Sequence, residues 1–247
     1  MSPMGSMFMS PCSRDEVAKI ISDLENGKAS DISIPFLKNV SPLILDYLLL
    51  FFNHFIDKGI FSRVLKRGSI TPIYKKGDSR FLENYRPVST IPIFGKILEK
   101  IIYSRLYSYL LSKQIICENQ FGFRSQHSTG HAVNYSVNHI LQQLGLQKHV
   151  IGIFIDLSKA FDTISHSKLL YKLQFYGVRG KSIDMIRSYL SHRKQRTKFQ
   201  GAISEDSEIS DNRLLFMKLL ILERMIFALE IATALDSSIT NMLVSSA

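Results

Sequence analysis

Cysteine is scarce. The two thiols in the 247 residues, Cys12 and Cys117, are isolated and match no zinc or disulfide spacing. That excludes a disulfide scaffold and points to a reducing compartment, the cytoplasm or the nucleus. A secretory start is missing too, because MSPMGSMFMSPCSR has neither a basic opening nor a sustained apolar core. Long uninterrupted apolar runs are also lacking. Residues 42–57 are strongly apolar but short for a bilayer, and Asp46, Asn53 and His54 break them up. Residues 213–235 are denser still, yet carry Lys218, Glu223, Arg224 and Glu230. Each of those charges costs about 2.5–3.5 kcal/mol at a membrane centre. No membrane partner is expected. No internal repeat or low-complexity linker divides the chain.

Acid is in deficit, with 21 Asp and Glu against 31 Lys and Arg, a formal charge of +10. Such a balance favours a polyanionic partner, with nucleic acid first and an acidic membrane surface second. The excess is concentrated. Residues 58–113 hold 12 basic and 3 acidic side chains, and residues 165–200 hold 9 and 1, whereas residues 1–57 and 201–247 are net acidic. The two basic blocks flank residues 150–166, VIGIFIDLSKAFDTISH. If they flank it in space as well, they form a cationic cleft; the plainer alternative is two solvated helix faces.

Within residues 150–166, Val150, Ile151, Ile153, Phe154 and Ile155 have the length and β-branching of a buried strand. Asp156 ends the run. A buried carboxylate is costly without a positive partner, and a divalent metal is a common one. The alternative is a solvated Asp capping the next helix. A second acid, Asp162, follows Phe161.

Elsewhere the pattern is mostly helical. Ser13-Arg14-Asp15-Glu16 reads as a capping box, in which the Glu16 carboxylate reaches back to the cap. Helices are expected over 42–57 (buried), 92–113, 130–148, 166–176 and 181–192. In the 130–148 helix, Ala132, Val133, Val137, Ile140, Leu141 and Leu144 are expected to face inward. Residues 70–74 read as a strand that Pro72 places at an edge. Residues 84–90 read as an extended loop and 195–203 as a single strand. Lys75, Lys76, Arg80 and Arg86 gather in a hairpin-like finger suited to phosphate, because Arg binds its oxygens bidentately and Lys acts as a point charge. Residues 119–129 form a loop with aromatics around Gly122 and a cation at Arg124, a combination that can stack on bases or anchor a turn. His127, His131 and His139 share no metal-binding spacing with any acid.

Four strings then carry a resemblance: ITPIYKKGD (70–78), NYRPVSTIPIFGKILEKII (84–102), ENQFGFRSQHST (118–129) and IFIDLSKAFDTISH (153–166). In this order and spacing they resemble the reverse transcriptase domain of non-LTR, LINE-type, jockey-like retrotransposons, over about residues 13–209. The resemblance implies a helix-rich α/β fold, a partial right-hand polymerase with fingers, an incomplete palm and no thumb. Residues 1–12 would be a disordered N-terminus, 13–149 fingers-like, 150–209 the first part of the palm, and 210–247 an apolar helical tail outside the resemblance. It implies Asp156 as catalytic metal ligand with the Leu157 backbone carbonyl beside it, for Mg²⁺. Lys75 and Arg86 match residues that hold the incoming dNTP, and Phe161 matches the gate against a ribose 2′-OH. Gln120, Phe123 and Arg124 match a fingers–palm loop near the template. The implied partners are an RNA template and a DNA primer.

The sequence departs from that family in one respect that bears on activity. No Asp-Asp dipeptide occurs in it, and no Pro-Gln-Gly turn follows 195–203. Two-metal phosphoryl transfer needs more than one carboxylate. The expectation is therefore a fragment of an RNA-directed DNA polymerase that is inactive alone, or else a non-catalytic nucleic-acid-binding remnant using the two basic blocks.

Overall fold

The computed structural model describes residues 5–122, 124–152 and 165–209. Asp156, Leu157, Phe161 and Phe123 lie outside them, as do half of the strand expected at 150–155 and the apolar stretch 213–235.

Helix and sheet are mixed, as the α/β expectation requires. The core is built around α3 (Ile93–Ser112). Its Ile93, Ile97, Leu98, Ile101, Ile102 and Leu106 are fully buried, each contributing about 1.5–3 kcal/mol by leaving water. The helix begins after Pro92, which offers no side-chain cap. Asp31, from the loop before α2, accepts the Ile93 N–H at 2.8 Å instead, satisfying one orphan donor from outside the helix. Gly95 lies against the chain just before β1, where a Cβ would come within 2.8 Å of the Leu65 carbonyl.

α1 (Arg14–Ser22) starts as its sequence dictates, with the Ser13 hydroxyl accepting the Glu16 N–H. The reciprocal half of the capping box is replaced. The Glu16 carboxylate bonds Arg105 of α3 at 2.7 and 3.1 Å. That guanidinium also donates to the carbonyls of Ser10 and Pro11. Residues 5–12, expected to be disordered, are accordingly tied down. Met7 bridges Val178, Ser182 donates to the Met7 carbonyl at 3.1 Å, and Asn53 accepts the Cys12 N–H at 2.7 Å. Met7 and Cys12 are also buried in the hydrophobic core, so packing and hydrogen bonds together hold the segment. Burial, with Glu16 adding, raises the Cys12 thiol pKa and keeps it protonated.

α2 spans Ile34–Lys58, beginning eight residues before the expected 42. Pro42 is tolerated inside it because the Lys38 carbonyl, which loses its usual N–H donor, accepts the Ser41 hydroxyl at 3.0 Å. The helix is half buried rather than buried. Leu45, Leu48, Phe52 and Ile56 pack inward while Phe36, Leu43, Tyr47 and Leu50 are exposed. At 25 residues it is also long and apolar enough to cross a membrane by length and composition, which corrects the sequence estimate of its length.

The sheet runs β2-β1-β3-β4, with β5 also paired to β3. β1 (Arg67–Tyr74) pairs antiparallel with β2 (Tyr85–Thr90), so the expected loop at 84–90 is a strand. β3 (Lys194–Phe199) lies parallel to β1 on its other side. Pro72 is thus in a central strand, yet it breaks no ladder: it faces Pro87 and lies beyond Ile70, the last β1 residue paired with β3. The single strand expected over 195–203 turns back at Gln200 and Gly201, both at positive φ, into β4 (Ala202–Ile203), before β5 (Ser207–Glu208). Two paired residues at φ > 0 make a tight hairpin turn of the hand that suits twisted strands.

α4 (Thr129–Gly145) is formed as expected, but it buries no residue. Val133, Val137, Ile140, Leu141 and Leu144 are all exposed among the described residues. α5 (His166–Phe175) and α6 (Lys181–Leu190) complete the core through Leu169, Leu173, Ile186 and Tyr189.

Candidate nucleic-acid and nucleotide site

Strand alternation sorts the cations. The register pairs Ser69 with Thr90 and Ile73 with Arg86 across β1 and β2, and Arg67 with Lys194 and Ser69 with Arg196 across β1 and β3. Period-two alternation then puts Arg67, Arg86, Lys194, Arg196 and Lys198 on one face. Lys75 extends that face, since its N–H bonds the Asn84 carbonyl at 2.8 Å and prolongs the ladder by one pair. The two basic blocks of the sequence therefore meet in one sheet. The opposite face is aromatic, with Tyr74, Tyr85 and Phe199 in edge contacts at 5.7 and 5.9 Å.

The tip between β1 and β2 is a built turn. Gly77 has φ of 93°, and a Cβ there would meet the Asn84 amide at 2.8 Å. Asn84 donates to the Asp78 carbonyl at 2.8 Å, and the Tyr85 hydroxyl donates to the Ser79 carbonyl at 2.9 Å. Tyr74 reaches back to the Gly77 carbonyl. These bonds fix where Lys75 and Arg86 emerge, as diagonal neighbours on the cationic face. Arg80 is used differently from its expected role. Its guanidinium grips Asp78 at 2.7 Å and holds that carboxyl below the usual range. Lys75, Lys76 and Arg86 are exposed to a ligand.

At the other end, Arg67, Ser69, Thr71, Thr90, Arg196 and Lys198 line a cleft of about 340 Å³. The 29–31 loop forms its wall, held by Asp31 at the start of α3 and by Lys96, which donates to the Ala29 carbonyl at 2.7 Å. Ser69 Oγ and Arg196 Nε are buried with no hydrogen-bond partner among the described residues. Arg67 is paired with Asp206 at 2.6 Å. These residues were missed by the sequence reading, although Lys194, Arg196 and Lys198 at alternate positions carried the signal of one charged strand face.

Beneath the sheet lies a buried polar cluster. Lys66, 3% exposed, donates to the Ser188 and Ser191 carbonyls at the C-terminal end of α6. Burial, with the charges of Arg193 and Arg63, lowers its pKa to about 8. Tyr189 donates to the Glu99 carboxylate, and Arg193 stacks over the Tyr189 ring at 4.7 Å. The cluster ties β1 and β3 to the helices.

The structure places Gln120 and Arg124 apart from the cationic face in role. Gln120 is buried, donating to the Gly122 carbonyl at 3.2 Å. Arg124 donates to the carbonyls of Cys117 and Glu118 at 3.3 and 3.1 Å and braces the loop after α3. Nearby, Phe121 touches His127 and Tyr135 at 5.9 and 5.5 Å. Among the described residues no three His, Cys, Asp or Glu side chains converge to hold a metal ion, and Asp156 is outside those residues.

Residues 73–209 match the reverse transcriptase (RNA-dependent DNA polymerase) family. The chain is 34% identical over 171 residues to the RNA-directed DNA polymerase from mobile element jockey of Drosophila melanogaster, covering 68% of this chain and 19% of that protein. It is 30% identical over 204 residues to the probable RNA-directed DNA polymerase from transposon X-element of the same organism, covering 81% and 22%. The jockey polymerase of Drosophila funebris is 31% identical over 188 residues, covering 74% and 20%. The chain thus spans about a fifth of the length of these relatives. On these matches the chain belongs to the reverse transcriptase family, among its jockey-like, non-LTR mobile-element members.

Proposed function

We propose that this chain is the nucleotide-gripping part of an RNA-directed DNA polymerase, with fingers over residues 13–149, the first part of the palm over 150–209, and no part of a thumb. The observation that supports this most directly is the sheet that gathers both basic blocks on one face, inside the segment that matches the family.

In this reading Arg86 presents its planar fork to two oxygens of an incoming triphosphate while Lys75 supplies an adjacent point charge. Phosphoryl transfer depends above all on positioning and charge neutralisation, and these two side chains, set by the Gly77–Asn84 turn, provide both. The Phe161 ring would exclude a ribose 2′-OH. Gln120, Phe123 and Arg124 would shape the loop beside an RNA template paired to a DNA primer. Asp156, with the Leu157 carbonyl, would hold Mg²⁺, which when bound neutralises charge on the reacting phosphates. One carboxylate falls short of a two-ion site, and the 247 residues contain no Asp-Asp pair. The chain by itself therefore binds nucleotide and nucleic acid without polymerising. The missing pair also favours a second reading, a non-catalytic nucleic-acid-binding remnant.

Titrating dNTP into the wild type and into Lys75→Ala/Arg86→Ala tests the grip. At least a tenfold loss of affinity is expected from removing two charge-assisted contacts. Unchanged affinity overturns the assignment. Primer extension with Mg²⁺ separates the readings: robust DNA synthesis by this chain alone would show that the carboxylate set is sufficient after all.

A further inference from the structure

The cleft at the base of the sheet is centred on Ser69, four and six residues along β1 from Ile73 and Lys75, and its near edge at Thr71 is two residues from Ile73. At the rise of a strand those separations are about 13–20 Å from the centre and about 7 Å from the near edge. Its chemistry is that of an anion site. Among the described residues Arg196 and Lys198 form no ion pair, although Asp31 also lines the cleft, and Ser69 Oγ and Arg196 Nε are buried without a hydrogen-bond partner. Thr71 adds a hydroxyl at the same wall, while the Thr90 hydroxyl donates to the Ser69 carbonyl at 3.3 Å. A buried donor without a partner is costly, so the cleft is under-satisfied where an anionic oxygen would sit.

One anion is already at its edge. The loop between β4 and β5 brings Asp206 onto Arg67, at 2.6 and 2.9 Å. Hydrogen bonding to Arg67, then the charges of Arg67, Lys194 and Arg196, hold its carboxyl below the usual range. The carboxylate thus stands among the cations that a phosphate would use.

We infer that this cleft is a phosphodiester subsite for a single-stranded nucleic acid, and that Asp206 is a resident competitor which occupies Arg67 until the strand displaces it. The inference rests on the reading of the chain as a nucleic-acid binder, but on other residues than Lys75 and Arg86. Strand binding then breaks the Arg67–Asp206 bridge and gives the guanidinium to a phosphate, so affinity is set below what the cation count alone would provide.

The test is fluorescence anisotropy of a labelled single-stranded RNA 12-mer at several salt concentrations. Asp206→Asn is expected to tighten binding three- to tenfold with the salt slope unchanged, because Arg67 meets a phosphate in both proteins and only the competing carboxylate is lost, whereas each phosphate contact removed from a single strand takes about 0.7 off the slope of log K against log salt. Arg196→Gln/Lys198→Gln is expected to weaken strand binding about tenfold and flatten that slope. Competition by dNTP against the 12-mer distinguishes the sources of phosphate. Equal displacement at both ends of the sheet, or an Asp206→Asn protein that binds the strand no more tightly than wild type, overturns the inference. Should Asp206→Asn fail to fold, the Arg196/Lys198 pair decides alone: an unaltered slope refutes the subsite. Loss of dNTP binding in Lys75→Ala/Arg86→Ala leaves this outcome untouched, so the two readings fail separately.

Discussion

Lys66 makes stability depend on pH in a direction opposite to that of most lysines. Its ammonium is buried and its pKa falls from 10.5 to about 8, chiefly through desolvation. In the unfolded chain the same group titrates near 10.5. Between these values the unfolded state binds more protons than the folded state, so stability rises with pH. The complete shift corresponds to about 3 kcal/mol, of which about 2 kcal/mol falls between pH 8 and 10. Tyr189 opposes this at higher pH. Burial, with Glu99 adding, holds its hydroxyl protonated well above 10, so once unfolded tyrosine ionises the folded state loses ground. Guanidinium midpoints followed by circular dichroism from pH 7 to 11 should therefore climb, peak near pH 10 and fall. Lys66→Met should remove most of the climb, leaving the smaller share from Lys96 and Lys172, whose pKa values burial also lowers, and keep the fall. At pH 7 its net effect is small, since relief of the buried charge offsets the lost bonds to the Ser188 and Ser191 carbonyls. A flat wild-type profile between pH 8 and 10, or a climb undiminished in Lys66→Met, would refute the reasoning.

Two further substitutions probe the elements that position the site. Gly77→Ala forces an L residue to φ of 93° and drives a Cβ to 2.8 Å from the Asn84 amide. About 1–3 kcal/mol of local strain should follow, read as faster amide exchange over 75–84 and weaker dNTP binding, and unchanged exchange there contradicts it. Arg105→Ala removes the cation shared by Glu16, Ser10 and Pro11. It should cost about 2–3 kcal/mol and expose residues 5–12 to limited proteolysis, an expectation that equal protection in mutant and wild type would defeat.

What could be read from the sequence was what local chemistry decides. The Ser13 cap, the α3 stripe and the basic β1–β2 finger follow from the identity and spacing of a few neighbouring residues. Longer-range competition was not legible. Glu16 has two suitors, the Ser13 N–H and Arg105, and only the fold shows that Arg105 wins. Pro42 suggested a helix start because its ring forbids an N–H bond. The Ser41 hydroxyl, one residue earlier, removes that objection by taking the orphaned Lys38 carbonyl. In β3 the alternation runs on through Gln200 and Gly201 to Ile203, and only the positive φ of the two middle residues turns the strand back. α4 shows the limit of periodicity most plainly. An apolar stripe at helical spacing states which face would be buried, not whether anything is there to bury it, and among the described residues that face is open. For the site, Lys75 and Arg86 were legible as part of a basic finger, with the resemblance adding the dNTP role, and Arg196 and Lys198 came from register, because parallel pairing of β1 with a strand more than a hundred residues later leaves no local trace.

The cationic face also explains why the polar cluster beneath it is worth its cost. Arg67, Lys75, Arg86, Lys194, Arg196 and Lys198 repel one another across a small sheet whose β1–β3 pairing is only four residues long. Opposite a ligand of phosphates that repulsion is discharged, but the free protein has to hold the strands together without it. Aromatic contacts on the reverse face between Tyr74, Tyr85 and Phe199 supply part of the cohesion. Asp206 supplies another part by neutralising Arg67 at the β3–β5 corner. Lys66 and Arg193 supply the rest, fastening the chain just before β1 and just before β3 to the end of α6. Buried charges of this kind rarely add net stability. Here their effect is positional: they set the two basic strands at a fixed spacing before any ligand arrives, which is what a site that works by preorganised charge requires.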